Sequence, residues 1–249
     1  MPRDWNADAY DRLSEPQRRW GAVVVSRLDL AGTERVLDAG CGTGRVTELL
    51  RERLPDGEIV ALDASPSMVA RARERLGEDR MTYAVADLMD PLPVEPVDAI
   101  VSTATFHWVP DHERLFANLA VVLRPGGRLE AQCGGAGNVE NLAAVVEALG
   151  RDANAGKVYA GPAETAARLE RAGFVDVRCW LTPEPTPIPR EDLPAFLQTV
   201  CLGGLLEDRP ADERERFARE VAARMPESRL DYVRLNLSAR RAGGAATLR

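Results

Sequence analysis

The sequence has 249 residues, is 45% hydrophobic and carries a formal net charge of −7. That length supports one elaborated domain around a sizeable core rather than two equal ones. The acid excess repels a phosphate backbone, so no nucleic-acid partner is expected. No apolar run approaches the ~20 residues of a membrane helix, so no membrane partner is expected, and residues 1–10 are polar and mixed in charge, unlike a secretory leader. Cys41, Cys133, Cys179 and Cys201 form no C-x-x-C pair and have no histidine at metal-ligand spacing. Neither a metal site nor a disulfide scaffold is therefore expected, and a reducing cytoplasm is the expected location. The basic residues are nearly all arginine; Lys157 is the only lysine, so any lysine-nucleophile chemistry has one candidate.

The first half alternates short apolar runs with helical periodicity. Arg35–Ala39 reads as a buried strand stopped by glycines, and Val46–Leu54 has apolar residues at helical spacing. Glu58–Leu62 is a second strand ending at Asp63. Pro66–Leu76 is a helix with Ser65 as N-cap and proline at its first position. Met81–Ala86 is a third strand ending at Asp87, and Val97–Val101 a fourth. Asp111 caps a helix running to about Leu123, Pro125-Gly126-Gly127 is a turn, and Arg128–Cys133 is a fifth strand. This alternation predicts an α/β, doubly wound, mainly parallel sheet with helices on both faces. Ligands of such sheets bind beyond the carboxyl ends of the strands, where Asp38 with its glycines, Asp63, Asp87 and the Ser102–Trp108 stretch all fall.

The second half is less regular. Asn138–Arg151 and Gly161–Gly173 read as helices and Phe174–Leu181 as a strand. Thr182–Pro189, with four prolines, cannot be helix or central strand and reads as a stiff extended linker. Leu193–Leu206 and Glu213–Met225 are helical, and Leu230–Ala239 returns to strand. The expected organisation is one domain over 1–242: a helical cap at 1–30, a ligand-binding core at 33–133, a helical insertion or lid at 182–229 between the last two strands, and a frayed tail at 243–249.

The loop Asp38-Ala39-Gly40-Cys41-Gly42-Thr43-Gly44 follows a strand and opens a helix, whose free N–H groups carry positive potential. Glycines at alternate positions allow a ligand to approach the backbone. A dinucleotide fingerprint requires G-x-G-x-x-G, but the third position is Arg45 when counted from Gly40 and Thr47 when counted from Gly42. Asp63, at the end of the second strand, suits a ribose, its carboxylate accepting both hydroxyls. A helix-capping acid is the structural alternative there, and a turn acid is the alternative at Asp87.

Val36–Gly44, Leu62–Met68, Ala86-Asp87-Leu88 and Leu123–Gly127 resemble the successive motifs of class I S-adenosylmethionine-dependent methyltransferases. Phe106–His112, Leu129–Gln132 and the opening Trp5–Tyr10 are similar to the trans-aconitate 2-methyltransferase group. The resemblance implies a seven-stranded Rossmann-like methyltransferase fold, S-adenosyl-L-methionine as cofactor with S-adenosyl-L-homocysteine as product, and a small-molecule acceptor. It also implies cofactor contacts from Asp38, Gly40, Cys41, Gly42, Asp63, Ala64, Met68, Asp87, Leu88 and Thr103, with Tyr10 closing over the cofactor. His107 is the candidate general base or substrate ligand, its reference pKa of ~6.5 suiting proton transfer, against a packed rim histidine. Trp5, Trp108 and Gln132 are candidate substrate contacts, against ordinary packing. The place after the fourth strand holds Ser102–Phe106 and not the Asn/Asp-Pro-Pro-aromatic run of nucleic-acid amino methylation. The expected reaction is O-methylation of a small carboxylic acid or hydroxyl group. N- or C-methylation and a non-catalytic cofactor-binding regulator are the alternatives.

Overall fold

The computed structural model describes residues 15–206 and 209–243. Trp5 and Tyr10 lie outside the described residues, as does most of the tail. The first element, α1 (Glu15–Arg27), turns Trp20, Val24 and Val25 inward and leaves Val23 exposed, the one-sided pattern of a helix laid on a sheet. Then come β1 (Arg35–Ala39), α2 (Arg45–Arg53), β2 (Glu58–Asp63), α3 (Pro66–Leu76), β3 (Met81–Val85), β4 (Val97–Thr103), α4 (His112–Val122) and β5 (Leu123–Gly134). The local signals act as read: Ser65 Oγ accepts from the Met68 N–H at 3.3 Å, and Asp111 Oδ1 accepts from the Arg114 N–H at 3.1 Å. The Pro125–Gly127 segment is a bulge inside β5 rather than a turn before it. Leu123 pairs Val97 and Arg128 pairs Ala99, with Gly126 at φ 82°.

The seven strands form one sheet in the order β3-β2-β1-β4-β5-β7-β6. β1 to β5 are parallel, and β7 (Arg229–Arg241) is antiparallel to both β5 and β6 (Phe174–Pro187). The main core lies where Leu37, Val60, Ile100 and Leu129 meet Phe106, Phe116 and Leu119. Strand order reverses between β1 and β4, and that switch point opens the crevice in which ligands bind. The doubly wound, mainly parallel fold read from the sequence is the one observed.

The proline run is a correction. Residues 182–187 are not a linker but the second half of β6, paired with β7 from Thr182↔Arg234 to Pro187↔Arg229. Pro183, Pro185 and Pro187 alternate, so their missing N–H groups all lie on one side of the strand. β6 is the edge of the sheet, so that side has no partner to satisfy. The segment between the two strands is therefore 188–228, shorter than the sequence reading.

That segment holds α7 (Leu193–Phe196), a π-turn (Leu197–Cys201), α8 (Gly203–Leu206) and α9 (Ala211–Arg224). The expected single helix over Leu193–Leu206 is broken where the Leu202 N–H reaches back five residues to the Leu197 carbonyl. These helices share a second core with α5 (Glu140–Ala148), Trp20 and Tyr232. α6 (Pro162–Arg171) packs on β6. Among the described residues no helix is long and apolar enough to cross a membrane.

Gly44 shows how the loop–helix joint is built. Its φ is +84°, and a Cβ there would stand 3.0 Å from Leu76 Cδ1 and 3.2 Å from Ala72 Cβ of α3. Gly44→Ala is expected to cost about 1–2 kcal/mol from the left-handed backbone alone, read as a lowered thermal unfolding midpoint.

Candidate functional site

Beyond the carboxyl ends of the parallel strands lies a cavity of about 730 Å³. One wall comes from the strand ends: Gly40 and Gly42 after β1, Asp63 and Ala64 after β2, Asp87 and Leu88 after β3, and Thr103 to Thr105 after β4, with Met68 from α3. The Asp63 carboxylate fixes this wall. Its Oδ2 accepts from the Gly42 N–H and its Oδ1 from the Ser65 N–H, each at 2.9 Å. Asp87 Oδ1 accepts from the Met89 N–H at 2.9 Å, and Asn118 donates to the Leu88 and Asp90 carbonyls at 2.9 Å, so that loop is tied to α4.

The glycines of the first loop do three different jobs. At Gly42 (φ +53°) nothing lies within 4 Å of the place a Cβ would occupy, so this backbone is open to a ligand. A Cβ at Gly40 would collide with the Thr105 side chain, and Gly44 packs on α3. Only Gly42 shows the open approach that the sequence suggested for all three.

Three residues expected to contact ligand do not line the cavity. Cys41 is buried beside Ala61 and Ala72, and the Gly40 and Cys41 N–H groups are consumed by the Leu62 carbonyl at 2.7 and 2.9 Å. Asp38 is fully buried beneath the loop, where its Oδ2 accepts from Thr47 Oγ1 at 2.7 Å. Burial pushes its carboxyl up to about 7, opposed by the Thr47 hydrogen bond and aided by the nearby Asp63 charge. Gln132 is buried among polar side chains of β7, donating to Asn236 Oδ1 at 3.0 Å and accepting from Arg234 Nε at 3.4 Å.

The opposite wall gathers residues far apart in sequence. His107 and Trp108 sit on a 3₁₀ turn (Phe106–Trp108) after β4. Asn138 and Val139 precede α5, Lys157 and Tyr159 lie in the following loop, Val200 and Cys201 on the π-turn, Tyr232 and Arg234 on β7, and Trp20 on α1. Val139, β-branched, holds φ 53°, and Ala104 on the other wall holds φ 55°. Left-handed backbone at such residues costs energy and clusters at sites.

His107 is 8% exposed. Its Nδ1 accepts from the Gly134 N–H at 3.3 Å, so the ring proton of the neutral form sits on Nε2. The ring stacks on Tyr159 at 5.8 Å between centroids and lies 5.1 Å from Trp108. Burial, then the Arg234 and Lys157 charges, hold its pKa well below the usual imidazole range. Lys157 Nζ donates to the Ala153 and Cys201 carbonyls at 2.9 and 3.0 Å and stands 5.3 Å from the Trp108 ring. The Arg234 guanidinium lies over Trp20 at 4.4 Å, with Tyr232 edge-on to Trp20 at 5.1 Å.

Lys157, Arg234, Tyr159, Tyr232 and Trp20 were not singled out as site residues by sequence. Lys157 had one signal, being the sole lysine of an arginine-rich chain. Arg234 had another, a charge set between Val233 and Leu235 and in step with the polar Asn236 and Ser238.

Residues 37–131 match a family described as methyltransferase domain. The chain is 35% identical over 181 residues to trans-aconitate 2-methyltransferase of Methylobacterium nodulans, covering 72% of this chain and 67% of that protein. It is 37% identical over 129 residues to the Escherichia coli K12 trans-aconitate 2-methyltransferase, covering 52% and 50%. Matches to several curated relatives thus span about half of their length. Among solved structures, Haemonchus contortus phosphoethanolamine N-methyltransferase 2 superposes with TM-score 0.66 at 19% identity, covering 95% of this chain and 57% of that one. The YcgJ protein of Bacillus subtilis does so with TM-score 0.67 at 17% identity, covering 91% and 100%. The chain belongs to the class I S-adenosylmethionine-dependent methyltransferases. It is an enzyme whose cofactor is S-adenosyl-L-methionine.

Two outcomes are expected. Gly42→Ala fills the open approach and weakens S-adenosylhomocysteine binding by at least about tenfold, a loss of ~1.4 kcal/mol, in titration calorimetry. Gly44→Ala leaves that affinity unchanged. For Asp38, the folded pKa of about 7 lies above an unfolded value of ~3.9. Its contribution to stability is fully present below pH ~4 and is lost as pH rises through about 7. Asp38→Asn does not titrate, so its unfolding midpoint should gain on the parent's across that window.

Proposed function

We propose that the enzyme methylates a carboxylate oxygen of a small anionic acceptor. The observation that carries this reading is the sorting of charge inside the cavity. The cations Lys157 and Arg234 lie on one wall beside the neutral His107, while the carboxylates among its described lining residues, Asp63 and Asp87, lie on the other.

The cofactor fits the strand-end wall. The Gly42 backbone leaves room for it, Asp63 offers a carboxylate to a ribose, and Ala64, Met68, Leu88 and Thr103 supply a mixed apolar surface with Asp87 at its edge. When bound, it supplies an electrophilic methyl on a sulfonium, which passes to a nucleophile with departure of the neutral thioether. Asp38 supports the loop from below and holds α2 through Thr47.

A carboxylate acceptor is ionised at neutral pH, given reference values near ~4, and needs no base. The protein's task is then to place it and keep water out. Arg234 and Lys157 attract the anion, and the rings of Trp20, Trp108, Tyr159 and Tyr232 close the wall. His107 acts as a donor through Nε2–H, because Nδ1 is engaged by Gly134 and the ring resists a second proton. An amine acceptor would bring a cation toward Lys157 and Arg234, which disfavours N-methylation. The relatives are named trans-aconitate 2-methyltransferase, and trans-aconitate is a tricarboxylate of this chemical class.

The test is transfer of labelled methyl from S-adenosylmethionine to a panel of small carboxylic acids, trans-aconitate first. The expected product releases its label as methanol in mild base, as a methyl ester does; base-stable label would overturn ester formation. Arg234→Met should reduce kcat/KM by about 10–100-fold, the worth of one hydrogen bond to a charged group.

A further inference from the structure

The polar faces of β5 and β7 form a ladder beneath α1. Glu130, Gln132 and Gly134 pair across the sheet with Ser238, Asn236 and Arg234. Side chains bond along it: Ser238 Oγ donates to Glu130 Oε1 at 2.6 Å, and Gln132 Nε2 donates to Asn236 Oδ1 at 3.0 Å. At the cavity end Arg234 Nε donates to Gln132 Oε1 at 3.4 Å. At the other end Arg27, in the last turn of α1, donates from Nη2 to Asn236 Oδ1 at 2.7 Å. Gln132, Asn236 and Arg234 are all nearly inaccessible to solvent.

We propose that Asn236 and Gln132 are positioning residues that hold the Arg234 guanidinium in the acceptor site, in a hydrogen-bond chain whose direction is set by Arg27. A guanidinium only donates. Arg27 therefore requires the carbonyl oxygen of Asn236 on its side. That oxygen also takes the Gln132 amide N–H, which turns the Gln132 carbonyl toward Arg234. Two amides that could each flip are thereby locked in one sense, and Arg234 meets an acceptor instead of a second donor. Asn236 Nδ2 completes the set by donating to Thr182 Oγ1 at 3.1 Å. A buried polar chain satisfied in this way gives rigidity, and its loss at one link is felt at the next. The proposal rests on the reading of Arg234 as an anchor for the acceptor's anion.

The test follows the Arg234 Nε–H resonance by ¹⁵N NMR, assigned by its disappearance in Arg234→Met, together with acceptor kinetics using trans-aconitate as the probe. Gln132→Met keeps side-chain length and removes the acceptor. It should abolish the slow-exchanging Nε–H signal and raise acceptor KM about tenfold, with kcat within about threefold and S-adenosylhomocysteine affinity unchanged. Gln132→Glu restores the acceptor for Arg234 but removes the donor to Asn236 Oδ1, so it should recover the Nε–H signal at a shifted position and bring KM back only in part. If Gln132→Met does not fold, Arg27→Met at the far end of the chain should broaden or shift the same resonance. An unchanged resonance in a folded Gln132→Met or Arg27→Met variant overturns the relay, whether or not trans-aconitate is turned over. If Arg234→Met leaves acceptor KM unchanged while the resonance responds as expected, the reading of Arg234 as anchor fails and the proposed role falls with it.

Discussion

Parallel strands end together, and the site follows from that constraint. β1 to β4 deliver a glycine loop, two carboxylates and a threonine to one rim. Because β7 runs antiparallel to β5, its early residues arrive at the same rim, with Arg234 opposite Gly134. One sheet thus presents a polar, acid-bearing wall from its parallel half and a cationic wall from its antiparallel half. The two ligands of a methyl transfer need different chemistry within a few ångströms, and strand direction supplies it.

The second wall depends on burying polar side chains and pairing most of their donors and acceptors. Arg234, Asn236 and Ser238 alternate with Leu235, Leu237 and Ala239, a period that sequence reading would assign to one wet and one dry face. Here α1 covers the polar face. The cost of dehydrating it is offset by cross-strand hydrogen bonds to Gln132 and Glu130 and by Arg27. His107 is held in the same manner, by a backbone N–H at Nδ1 and contacts with the rings of Trp108 and Tyr159. Such fixation leaves the ring one orientation and one tautomer.

The elements of the first half were legible because each carries a local signal of its own: Ser65 before Pro66, Asp111 before α4, the glycines after β1. The second half was less legible where local signals conflict with context. Prolines at 183, 185 and 187 forbid a central strand, and from sequence alone an edge strand and a linker look the same. The Leu197–Cys201 π-turn had no local signature beyond the following Gly203-Gly204 pair.

Sequence by itself determined the fold class, the cofactor and the rim at which chemistry occurs, since these rest on short motifs and on strand–helix alternation, which are local properties. Of the strand-end residues it singled out, Gly40, Gly42, Asp63, Ala64, Met68, Asp87, Leu88 and Thr103 line the cavity. Only the tertiary structure decided that Asp38, Cys41 and Gln132 lie behind the cavity surface, while Trp20, Lys157, Tyr159, Tyr232 and Arg234 form its second wall. The residues of that second wall come from three separate segments, and no spacing along the chain encodes their meeting. What brings them together is the packing of α1 and the 188–228 helices against β7, a set of long-range contacts whose geometry exists only once the sheet has formed.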